Sequence, residues 1–122
     1  MKLMTKAIAE QLYQNDQHVT ETGNSPENVV VKYFDPCGAA TWYVTAGTPL
    51  IDEEPTDDID KADDWHLFGF CTLGDARCAE YGYTLLSQLE EIKGPFGLGI
   101  ERDTGFGNPP IGPIVNDIKA QA

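Results

Sequence analysis

An α+β fold is predicted by three features of this 122-residue sequence: two pairs of β-rich runs joined by turn residues, apolar stripes of helical period before and after them, and short links between successive strands. The expected architecture is an antiparallel sheet of about four to five strands with two helices packed on one side. The chain is 41% hydrophobic, enough to bury a core, and its length fits a single domain over residues 1–122.

The elements follow in order. Thr5 is placed to cap a short N-terminal helix, in which Met4, Ile8 and Leu12 recur every four residues with Ala9 and Tyr13 beside them. The polar stretch QNDQHVTETGNSPEN, residues 14–28, contains Gly and Pro and reads as a loop. VVVKYF (29–34) and TWYVT (41–45) are β-branched and aromatic, and DPCGAA between them has turn chemistry, so the three form a hairpin. HLFGFCTL (66–73) and AEYGYT (79–84) form a second hairpin across GDARC. Gly69 and Gly82, inside these strands, mark bulges or close approaches of backbone.

Leu85, Leu86, Leu89 and Ile92 form the stripe of a second helix, capped by Thr84 and stopped by Gly94-Pro95. The tail, about residues 94–115, holds six glycines and four prolines and is expected to run over the surface, with a strand near Leu98 to Glu101.

The net charge is −12, and the loop at about residues 50–65 concentrates it: Asp52, Glu53, Glu54, Asp57, Asp58, Asp60, Asp63 and Asp64 share thirteen residues with one lysine. Such a chain is repelled by phosphate backbones and anionic lipid, so neither direct nucleic-acid binding nor membrane binding is expected. No apolar run approaches the roughly 20 residues of a membrane span, and the N-terminal residues lack a continuous apolar segment like that of a secretion signal. A cytoplasmic location is expected, with Cys37, Cys71 and Cys78 as free thiols.

Catalytic and metal templates fit poorly. DDIDKADD lacks the glycine that turns a calcium loop, and the cysteines lack the paired spacing of a zinc site. Cys71 and His66 fall on opposite faces of a regular strand, which argues against a thiol nucleophile with its base. GLGIERD and GFGNPPIG lack the Lys-Ser/Thr of a phosphate loop. No catalytic residue, cofactor or metal is assigned. The Glu101-Arg102-Asp103 cluster has two readings. In one, Arg102 ties chain segments through a carboxylate such as Glu80 or Glu101; in the other, Arg102 binds an anionic group in a pocket walled by Trp42, Tyr43, Phe68 or Tyr83.

GYTLLSQLEEIKGPFGLGIERDTGF (82–106), preceded by TWYVT and LFGFC in the same order, resembles the bacterial family called domain of unknown function 2958. Gly94 to Asp103 is the most specific part; Ala46-Gly47 stands where relatives often carry an acidic residue. The resemblance implies a small protein of plasmids, integrative elements and phages, often near anti-restriction genes, and supplies no catalytic residues.

Two function classes result. The first is a non-enzymatic acidic protein whose loop engages a basic surface of a host defence or nucleic-acid-handling protein, with partial nucleic-acid mimicry as one form of that contact. Eight acids along roughly 43 Å of extended chain are sparser than duplex phosphates, so the loop must fold back or recruit neighbouring acids to imitate a duplex. The second is a small-molecule or nucleotide-signal domain using the Arg102 and aromatic cluster.

Overall fold

A computed structural model describes residues 2–122. Helix α1 spans Lys6–Thr22, and Thr5 caps it as expected, its Oγ1 accepting from the Ile8 N–H at 3.2 Å. The helix continues nine residues past Tyr13 and ends where Gly23 takes a left-handed conformation (φ 74°). The polar run expected to be a loop is therefore mostly helix. Its side chains find tertiary partners: Asn15 Nδ2 donates to the Thr45 carbonyl at 2.8 Å, and Asp16 Oδ2 accepts from Thr48 Oγ1 at 3.2 Å.

Both hairpins are present and fully antiparallel. Strand β1 is Val31–Phe34, β2 is Thr41–Ile51, β4 is Asp64–Thr72 and β5 is Glu80–Leu85. Two-residue strands β3 (Glu54–Pro55) and β6 (Glu101–Arg102) complete a sheet of order β5-β4-β2-β1-β6, with β3 paired to the end of β2. The register of β2 on β4 slips between Val44 and Ala46, which marks a bulge at Thr45. Gly69 lies opposite it, and a Cβ there would sit 2.8 Å from the Val44 Cα. The expected close approach is real at Gly69. At Gly82 a Cβ would meet nothing within 4 Å. A bulge removes a main-chain group from the ladder, and the Asn15 amide supplies a partner for that carbonyl.

Helix α2 is Leu86–Glu91, starting two residues after Thr84, which instead pairs with Leu67 inside β5. The position before the helix is Leu85, which has no oxygen to cap it. Asp64 does so from across the chain: its Oδ1 accepts from the Ser87 N–H at 3.0 Å and its Oδ2 from the Ser87 hydroxyl at 2.6 Å. Leu86 and Leu89 face the core as the stripe predicts, while Leu85 belongs to the strand and Ile92 is partly exposed.

The chief addition is helix α3, Ile111–Lys119, in a tail expected to wander over the surface. Two apolar clusters explain why three helices form among the described residues. One joins Leu12 and Ala9 of α1 and Leu86 and Leu89 of α2 to Trp42, Val44, Trp65 and Leu67 of the sheet. The other joins Ile111 and Val115 of α3 to Val29 and Phe70. Strand side chains alternate between faces, and the paired residues Tyr43 and Phe70 point away from the first cluster and toward α3. Burial of these side chains, not helix propensity, holds a nine-residue helix containing Gly112 and Pro113.

Candidate functional site

The acidic segment folds back around the end of β2. Leu50 pairs with Pro55 on one side and with Asp64 on the other. Carboxylates hold much of this path: Asp63 Oδ2 accepts from the Asp52 N–H at 3.0 Å, and Asp58 Oδ1 accepts from the N–H groups of Asp60 and Lys61. Asp52 and Glu53 turn the corner with left-handed φ of 49° and 68°. The Tyr13 hydroxyl of α1 donates to Asp57 Oδ1 at 3.0 Å, and that bond raises the phenol's pKa. The negative charges therefore sit on a defined surface. Asp64, counted with them from sequence, serves the start of α2.

The Arg102 and aromatic candidates do not share one pocket. Trp42 is buried in the first core. Arg102 pairs with Tyr33 at the β6 edge, while Tyr83 lies on β5 at the opposite edge, four strand spacings or about 19 Å away. Glu80, on the same far strand, is equally remote from Arg102. Phe68 and Tyr83 join another group: Tyr83 stacks on His66 (centroids 4.4 Å apart, planes at 6°) and packs against Phe68 at 5.0 Å.

At the β6 edge the cluster itself divides. Arg102 is paired with Tyr33, whose hydroxyl donates to the Leu3 carbonyl at 2.7 Å in the first core. Asp103 instead meets Lys32 at 3.5 Å, and the Lys32 ammonium also lies 5.8 Å from the Tyr43 ring and 5.0 Å from that of Phe106. Tyr43 thus reaches the Lys32–Asp103 pair, Trp42 lies in the row of Tyr33 and Arg102 but is buried in the first core, and Phe68 and Tyr83 stand toward the far edge. Arg102, Asp103 and Lys32 line a cleft of about 1250 Å³, whose opposite wall includes Asn15 and His18 of α1. The sequence signal for that wall was hidden because residues 14–28 read as a loop.

Cys71 and His66 stand apart, as their sequence spacing predicts. His66 stacks outward on Tyr83, whereas Cys71 packs against the first core, and burial raises the pKa of its thiol. Among the described residues no group of three or more His, Cys, Asp or Glu is placed to hold a metal ion, and no helix is long and apolar enough to cross a membrane.

The model of the family described as "Protein of unknown function (DUF2958)" matches residues 3–112. The chain belongs to this family. No curated protein and no solved structure matches it significantly. The DUF2958 match takes in α1, the whole sheet and α2, together with the acidic surface and the Arg102 cleft, and stops just inside α3. Within this DUF2958 protein, the Asn15–Thr45 and Asp64–Ser87 contacts have sequence separations of 30 and 23 residues and no local motif announces them.

Proposed function

We propose that this chain is a non-enzymatic, cytoplasmic binding protein of a mobile element or phage, whose acidic surface engages a basic face of a host defence or nucleic-acid-handling protein. The observation that carries this reading is the ordering of the acidic loop. Its fold-back on β2 and its tie to Tyr13 hold the carboxylates as a preformed surface, lowering the ordering cost of a contact. The same fold-back gathers charge more densely than an extended chain, as partial nucleic-acid mimicry requires. The mobile-element setting implied by the resemblance guides the choice of partner class.

The test is a pull-down from host extract followed by association kinetics at rising salt. Screening limits the reach of these charges to about 8 Å at physiological ionic strength, so the on-rate should fall steeply with salt. Joint replacement of Asp57, Asp58 and Asp60 by Asn should slow association at every salt. Salt-insensitive binding that survives this variant rejects the reading.

A second reading rests on the cleft beside Arg102, where an anionic small molecule or nucleotide signal would meet the Arg102 side chain. Arg102→Ala should then abolish a ligand-induced melting shift with nucleotide extracts and leave protein binding intact.

A further inference from the structure

Among the described residues, β5 closes the sheet at one edge and pairs only with β4. One row of its main-chain groups therefore points out of the sheet. The Leu85 N–H is directed to Gln88 Oε1 at 3.2 Å rather than into the ladder, and strand alternation turns the main-chain groups of Tyr83 and Tyr81 the same way. Soluble proteins usually guard such an edge with Lys, Pro, a bulge or a covering segment. The β5 sequence Glu-Tyr-Gly-Tyr-Thr-Leu contains neither Lys nor Pro, and its register on β4 is unbroken from Glu80 to Leu85.

The strand also carries an aromatic surface that leads toward charge. Phe70 is buried under α3, Tyr81 packs edge-on against it, and the strip continues through Phe68 to Tyr83 and His66. Tyr83 is 66% exposed. Beside His66 and Leu85 the strip enters a second cleft, of about 920 Å³, lined by Asp52, Glu53, Asp63 and Asp64. Aromatic faces and carboxylates together favour a cationic side chain, above all an arginine.

We propose that β5 is a docking edge for an extended, Arg- or Lys-bearing segment of a protein partner. The segment adds to the sheet as a further antiparallel or parallel strand, lays alternate side chains over Tyr81 and Tyr83, and places a cationic head in the acid-lined cleft. This deepens the acidic-surface reading and rests on it for the sign of the partner's charge. A second copy of the chain is a poor occupant: each copy carries −12, and residues 79–92, which span β5 and α2, contain no Lys or Arg.

The test is NMR on the full ¹⁵N-labelled chain with a synthetic peptide of alternating Arg and Val. Glu-for-Arg and alternately N-methylated peptides serve as controls. The expected result is slowed amide exchange at Tyr81 and Tyr83 on binding, and affinity about tenfold weaker or worse for both control peptides and for Tyr83→Lys. Unchanged β5 amides at saturating peptide, or equal binding of the Glu peptide, overturns the proposal. So does exchange protection that grows with protein concentration alone, which would signal self-pairing. Salt-sensitive peptide binding that shifts residues 52–63 but spares β5 rejects the edge while leaving the acidic-surface reading standing. Edge protection by the Arg peptide, with host-partner binding unaffected by the loop Asn variant, rejects the acidic-surface reading instead.

Discussion

The Asp64 carboxylate grips Ser87 twice, through the main-chain N–H and the hydroxyl, and so begins α2 from a strand 23 residues earlier. A carboxylate at a helix N-terminus also meets the positive end of the helix dipole. This separates Asp64 from its acidic neighbours in role.

Asp64→Ala should lower stability by about 1–3 kcal/mol, the range for losing a cap and a charged hydrogen-bond acceptor. Joint replacement of Asp57, Asp58 and Asp60 by Asn should stay within about 1 kcal/mol, because exposed carboxylates contribute little and Asn still accepts the same bonds. Urea melts of the two variants decide it. Comparable losses in both would make the loop itself structural.

Gly69 and Gly82 pair with each other across β4 and β5, yet their substitutions should differ. Gly69→Ala drives a methyl group into the Tyr43 and Val44 backbone at the bulge and should cost about 3 kcal/mol or more. Gly82→Ala enters open space and should be neutral or stabilising by up to about 1 kcal/mol, through a less flexible unfolded chain. Thermal melts that rank the two equally would contradict the bulge.

Leu89 is 1% exposed in the first core, and Leu89→Ala should cost about 2–5 kcal/mol in urea unfolding. A change near zero would remove α2 from that core.

Burial pushes the Tyr33 phenol far above its ordinary value of 10.0, against the lowering influence of the Arg102 charge. The folded state thus holds this proton where the unfolded chain releases it. The stabilisation is complete below pH 10.0 and declines as pH rises above it. Tyr33→Phe should flatten that alkaline decline, at a cost of about 1 kcal/mol at neutral pH for the lost bond to Leu3. Stability measured against pH for both proteins checks the sign.

Local chemistry alone determined the α+β class, the Thr5 cap, the turn at DPCGAA and the Leu86 and Leu89 face. Each depends on neighbours a few residues away in sequence, where periodicity and capping act. The acidity of residues 52–64 was equally legible as composition. Tertiary structure decided the rest. Helix α1 runs on to Thr22 where Asn15 and Asp16 reach the bulged strand, and α3 forms where Phe70 offers it an apolar face. Strand order, set by long-range pairing, sends Tyr83 and Arg102 to opposite edges of the sheet and brings Asp64 to Ser87. A one-dimensional pattern records which face a side chain takes within its strand, but not which strand becomes its neighbour. The free energy that chooses the neighbour comes from burial and hydrogen bonds completed only when distant segments meet.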